Sequence, residues 1–265
     1  MKAESYVDLR VKEVRKSNDL IQRSRFKLSL QQQRVMLYLI SKIDYNDDEF
    51  KEYEFNIPEF CRVCGIPIGS NYVDLKAAIK DISDKSMWAY ISEDTETLLR
   101  WIEKPYINKD CGTIRIRLDR DMKPFLLELK SHYTSYELIY TLMFSSKYAI
   151  RLYEVCRSYL YDKRGSFRHR YEINELRQVL DCEMYTDFRD FRRRVLDVAV
   201  KDINENSDML VSYNKLTKGR QVIGIEFSIS TKPTMDLVRL QDRIHKELGT
   251  DQITLWDMLT EKEKE

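Results

Sequence analysis

The sequence predicts a helix-dominated α+β chain made of two tandem copies of one unit: helix, strand, helix, turn, helix and a closing β-hairpin. Three observations predict it. Apolar residues recur at helical spacing in segments between positions 30 and 82, and the same pattern returns 116 residues later. Each copy is then followed by short runs in which apolar and polar residues alternate.

Taken in order, Ser29 is placed to cap a helix over residues 30–44, with Val35, Met36, Leu39, Ile40 and Ile43 on one face. Residues 53–57 alternate apolar and acidic positions as a short strand does. Pro58 opens a brief second helix through Val63, and Gly65 ends it. Ser70 caps a third helix whose apolar positions Tyr72, Leu75, Ile79 and Ile82 step by three, four and three residues.

Adding 116 to those four positions gives Phe188, Phe191, Val195 and Val198, again apolar and again at helical spacing. Ile57, Glu59, Phe60 and Val63 likewise land on Ile173, Glu175, Leu176 and Val179. Leu37, Leu39, Ile40 and Ile43 land on Tyr153, Val155, Cys156 and Tyr159. One apolar coincidence carries nothing in a chain that is 43% hydrophobic, but a register shared by three consecutive elements reads as a structural duplication.

Behind the first unit, residues 87–92 and 97–102 form a strand pair, followed by a turn over Lys109, Asp110, Cys111 and Gly112 and a strand carrying Ile114, Ile116 and Leu118. Behind the second, residues 209–213 lead to a tip at 214–220, after which Ile223, Ile225, Phe227 and Ile229 alternate with small or polar residues. A helix-turn-helix closed by such a hairpin is a winged helix, whose last helix can enter a DNA major groove. Residues 124–148 join the units without a Gly or Ser linker, so the two are expected to pack together. The resulting organisation is an N-terminal extension over 1–28, a first winged-helix domain over 29–132, a second over 133–232, and a C-terminal helix and tail over 233–265.

Composition sets limits on function. No run approaches the roughly 18 apolar residues a membrane span needs. The charged first 16 residues lack the apolar core of a secretory signal, and five cysteines without a regular framework fit a reducing cytoplasm. The net charge is only +1, so a nucleic-acid reading must rest on where the basic residues sit.

They sit on the last helix of the second unit, expected over residues 186–204. A wheel at about 100° per residue places Phe188, Phe191, Val195, Val198 and Ala199 on the core face. Arg189 and Arg193 lie opposite, Arg192 and Arg194 on the flanks, and Lys201 further along. A charge run of this kind is commonly a solvated face, with Asp190 and Arg194, and Arg193 and Asp197, at the stabilising spacing of four. The basic hairpin tip, Lys215, Lys218 and Arg220, moves the reading to DNA. Arginine can donate two hydrogen bonds to guanine, and a wing meets phosphate.

At these residues the chain resembles a known family. The stretch Asp187 to Leu196, then Ile203 and Asn204, then Lys218, Gly219 and Arg220 before a strand, is similar to the second winged helix of iteron-binding plasmid replication initiators. Lys16 to Ile21 and Leu28 to Arg34 resemble the opening of the same family, and the likeness spans about residues 14–232. The resemblance implies a cytoplasmic protein that binds directly repeated duplex sites at a plasmid origin and helps open them for the host replicative helicase. It also implies monomers that initiate and dimers that repress their own promoter, with the first domain carrying self-association. Carried over by position, Arg189, Arg192 and Arg193 would touch bases, and Thr186, Arg194, Lys201, Lys215, Lys218 and Arg220 phosphates. Asn71, Lys76 and Lys80 on the third helix of the first unit would make secondary contacts. The alternative is a dimeric winged-helix transcriptional repressor without initiation activity.

No catalytic site is expected. The three histidines, His132, His169 and His245, are widely separated, so the metal cluster of a nicking initiator is missing. No Gly-rich phosphate loop occurs among the seven glycines. Cys61 and Cys64 have the spacing of half a zinc site but lack a second pair, and read as small apolar fillers. Neither a cofactor nor a metal is expected, and the tyrosines read as packing residues.

Overall fold

The computed structural model describes residues 12–65, 71–129, 132–160 and 165–247. Within them the chain enters through β1 (Glu13–Ser17), and Ser17 caps α1 (Asn18–Gln22) by accepting the Leu20 amide. Ser29 opens α2 (Leu30–Ile40) with a full capping box: its hydroxyl accepts from the Gln32 amide, while the Gln32 side chain accepts from the Ser29 amide at 2.9 Å. The helix stops at Ile40 and not at residue 44, because Ser41 turns back and its hydroxyl donates to the Tyr38 carbonyl. Ile43 is buried all the same.

β2 (Tyr53–Asn56) runs into α3 (Ile57–Cys64), capped by Asn56, with Pro58 in its first turn and Gly65 closing it at φ 67°. α4 (Asn71–Asp84) follows, and the expected cap Ser70 lies outside the described residues. β3 (Ser86–Tyr90) and β4 (Glu96–Arg100) form a separate antiparallel hairpin. β5 (Tyr106–Asn108), which the sequence did not predict, pairs with β6 (Thr113–Ile116), and β6 pairs with β2 in a three-stranded sheet. A 3-10 turn (Arg120–Met122) and α5 (Lys123–Leu126) end this unit.

Residues 124–148 are more than a connection. They hold β7 (Tyr133–Glu137) and α6 (Leu138–Met143). Then come α7 (Lys147–Ser158), β8 (Ser166–Glu172) and α8 (Ile173–Val179). The following long helix has three pieces: α9 (Phe188–Phe191), a π turn (Arg192–Leu196) and α10 (Asp197–Asn206). β9 (Met209–Lys218) and β10 (Gln221–Thr231) make the wing, with β10 between β8 and β9, and α11 (Thr234–Glu247) packs Val238, Leu240 and Ile244 inward. Two winged helices therefore stand in tandem.

The junction between them has a pseudo-two-fold axis. β1 and β7 open the two copies at equivalent places, 120 residues apart (13 + 120 = 133), and they pair antiparallel with Arg15 opposite Ser135. The position paired with Arg15 is therefore its own equivalent in the other copy (15 + 120 = 135). The flanking bonds repeat the symmetry: the Asn18 amide donates to the His132 carbonyl at 2.8 Å, and the Leu138 amide to the Lys12 carbonyl at 2.9 Å. Beneath the pair, buried Lys16 meets Glu154 of α7 at 2.6 Å, and the Tyr136 hydroxyl donates to the same carboxylate oxygen. Arg151 approaches the other oxygen at 3.8 Å. Arg34 of α2 adds a strut, donating to the Leu142 and Phe144 carbonyls at the end of α6. The units pack together as the linker-free junction predicted, and their buried apolar side chains form one continuous cluster.

Candidate nucleic-acid interface

The long helix of the second unit is held at four places along its length. At its entrance the Arg177 guanidinium donates to the Thr186 carbonyl at 2.8 Å and lies over the Phe191 ring. Near its end, buried Asp202 accepts from the Ser145 and Ser146 amides at the start of α7, at 2.7 and 3.2 Å. Asn204 bridges to the wing in both directions, donating to the Val211 carbonyl at 2.9 Å and accepting the Val211 amide at 2.7 Å. From the wing, the Tyr213 hydroxyl donates to the Asp197 carboxylate at 2.5 Å. Burial, more than this bond, pushes the Tyr213 phenol above its ordinary range.

The helix begins at Phe188, with Asp187 as its cap accepting the Asp190 amide, and runs to Asn206. Thr186 is thus exposed and precedes the helix, which starts two residues later than expected. The expected core face holds for Phe191, Val195 and Ala199, all fully buried, and Phe188 packs partly against the core. It fails at Val198, which is 39% exposed, while Leu196 is fully buried in its stead. The cause is the π turn: the Asp197 amide donates to the Arg192 carbonyl five residues back, so one extra residue enters the turn and everything downstream rotates. The same insertion breaks the repeat offset. Ile82 plus 116 is exposed Val198, whereas Ile82 plus 117 is buried Ala199.

The ion pairs follow the changed register. Arg194 approaches Asp190 at 3.7 Å, the pairing the spacing of four predicted, and Arg193 meets the same carboxylate at 3.2 Å. The other predicted pair, Arg193 with Asp197, does not form. Asp197 lies instead 3.6 Å from Arg192, five residues back, as a π turn requires. Arg189, Arg192, Arg193, Arg194 and Lys201 are all exposed, and Lys201 runs alongside Glu205 at 3.9 Å.

The wing differs from its expected form. Its first strand continues through Lys218, so the tip is only Gly219 (φ 63°) and Arg220, and Lys215 lies within the strand. Beyond Gly224 the hairpin leaves β8 and projects as a two-stranded ribbon carrying exposed Lys218 and Arg220, with exposed Lys215 just short of it, opposite Ile225. Gly224 sits where this ribbon departs. A Cβ there would lie 2.5 Å from the Tyr171 carbonyl oxygen.

In the first unit, α4 buries Leu75, Ile79 and Ile82 and exposes Lys76 and Lys80. Lys80 is paired with Asp84. Asn71 is the first residue of that helix, and its side chain lies outside the described residues. Cys61 and Cys64 are buried within α3, where burial raises both thiols, which suits packing and not ligation. Among the described residues no three His, Cys, Asp or Glu side chains gather as a metal site needs, and no helix is long and apolar enough to cross a membrane.

Residues 13–157 match the profile described as initiator replication protein, WH1, and residues 172–229 the profile described as initiator Rep protein, WH2. Among solved structures, the Pi initiator protein, crystallised in complex with iteron DNA, is similar over 84% of this chain and 98% of its own, at 19% identity and a TM-score of 0.68. The WH1 domain of MSBI1.176, a replication protein isolated from a multiple sclerosis patient, matches at 19% identity over 37% of this chain and 79% of its own, with a TM-score of 0.30. Domains 2 and 3 of RctB match at 14% identity over 76% of this chain and 82% of theirs, with a TM-score of 0.44.

Proposed function

From the premise that this chain belongs to the initiator Rep protein family, we propose that it is a plasmid replication initiator acting in the cytoplasm. It binds directly repeated duplex sites at the origin and promotes their opening for the host replicative helicase. As a dimer it represses its own promoter. The Pi initiator was crystallised with iteron DNA, and a partner of that kind is assigned here to this chain. It contributes binding energy and no bond-making chemistry of its own.

The observation that carries this reading is the helix of residues 188–206, where Arg189, Arg192, Arg193 and Arg194 are exposed within one and a half turns and a basic ribbon projects beside the same unit. Arg189, Arg192 and Arg193 take the base edges, since a planar guanidinium can grip guanine O6 and N7 together. Arg194, Lys201, Thr186, Lys215, Lys218 and Arg220 hold phosphates and fix the register. Asn71, Lys76 and Lys80 make secondary contacts, leaving the first unit freer for self-association.

The direct test is replication. A plasmid carrying only this gene and its flanking DNA is expected to replicate in a competent host and to be lost when Arg193 is changed to Ala. If the wild-type gene represses its promoter yet never supports replication, the chain is a repressor and the initiator reading is overturned.

A further inference from the structure

The sequence supplies arginines, but an arginine on a bare helix face is a flexible chain that loses much of its rotamer freedom when it is pinned to a base. Arg192 is not on a bare face. The π turn sets Asp197 five residues beyond it and 3.6 Å from its Nε, and the other oxygen of that carboxylate accepts the Tyr213 hydroxyl at 2.5 Å. Tyr213 belongs to β9, pairs with Phe227 of β10 across the wing, and rests its ring against that side chain at 6.3 Å between centroids. The line from wing to helix to guanidinium is therefore continuous. In an unbroken α-helix Asp197 would stand over Arg193, and Arg192 would have no such partner.

We propose that Tyr213 and Asp197 are positioning residues that fix Arg192 for base reading, and that the π turn exists in this helix to bring Asp197 over it. This rests on the reading of Arg192 as a base contact. The consequence is a division of labour within one helix. Arg193 and Arg194 share Asp190 on the same helix, and among the described residues their ion pairs stay within that helix. Arg192 alone of the three is tied through a carboxylate to the wing, so where the wing sits on the backbone bears on where Arg192 points. Phosphate contact by the wing and base contact by the helix are thereby coupled.

The test uses the full chain and a duplex that the wild-type protein selects from a random-sequence pool, with a scrambled duplex of equal length as the non-specific control. Tyr213→Phe keeps the ring and removes only the hydroxyl. Its binding to the selected duplex is expected to fall roughly threefold to tenfold, the cost of ordering one arginine side chain that is no longer held in place beforehand. Binding to the scrambled duplex stays unchanged, and the variant keeps the wild-type circular dichroism spectrum. In an Arg192→Ala background the Tyr213→Phe effect should vanish, and Asp197→Glu should restore part of what Asp197→Ala loses. Equal losses on both duplexes, or a Tyr213→Phe effect that persists without Arg192, would overturn the brace while leaving the reading helix in place. If Arg192→Ala alone binds the selected duplex as well as wild type, Arg192 is not a base contact and the brace falls with it.

Discussion

At the scale of single residues, the long helix of the second unit is decided by which side chains the π turn sends inward. Leu196 is fully buried and Val198 is 39% exposed, although a regular helix would have ranked them the other way. Placing a carboxylate at Leu196 would bury an unpaired charge in the second core. Leu196→Asp is expected to unfold the unit or lower its stability by several kcal/mol, whereas Val198→Asp should cost less than about 1 kcal/mol. Urea titration followed by circular dichroism checks the order, and a more damaging Val198→Asp would mean the helix is regular after all. The arginines themselves were legible, because their spacing put Arg189 and Arg193 opposite the apolar stripe and Arg192 and Arg194 on its flanks. The turn was not, since period-counting assumes one rise and one angle throughout. A trace of it in the sequence was Leu196, an apolar residue lying off the expected stripe.

At the scale of elements, the wing is a longer strand pair than its sequence suggests. Strand β9 runs to Lys218 where a loop was expected from residue 214, because Leu216, Thr217 and Lys218 pair with Gly224, Val222 and Gln221. Residues 214–218 alternate polar and apolar poorly, so sequence reading stops the strand too early; cross-strand hydrogen bonding carries it on. A stiff ribbon holds its cations further from the core than a loop would. Each lysine or arginine that neutralises a phosphate releases counterions. Removing Lys215, Lys218 and Arg220 together should therefore flatten the dependence of log affinity on log salt by about 0.9 for each phosphate no longer neutralised. The measurement is a salt titration of binding to a selected duplex. An unchanged slope would show that the ribbon does not touch the backbone.

At the scale of the molecule, two winged helices are locked by strands that open each copy. That pairing joins residues 116 to 124 apart, with no local pattern linking them, and Val14 and Tyr136 look like ordinary strand positions until they are seen opposite one another. The repeat was legible because helices carry their period with them; the axis relating the copies was not. Its ionic centre makes a directional prediction. Glu154→Leu leaves Lys16 buried without its partner, and is expected to cost about 3–5 kcal/mol. Lys16→Met should cost clearly less, because Tyr136 and Arg151 still face the Glu154 carboxylate. Denaturant unfolding of both variants decides it, and equal costs would place the stabilisation of this junction elsewhere.

Of the two units, the proposed function assigns sequence reading to the second. The most direct measurement is selection of binding sites from a random-sequence pool by the wild-type chain, by Arg193→Ala and by Lys80→Ala. The expected result is one preferred sequence for the wild type and for Lys80→Ala, with a guanine preference missing at one position for Arg193→Ala. The same preferences from all three proteins, or a change caused by Lys80→Ala alone, would contradict it.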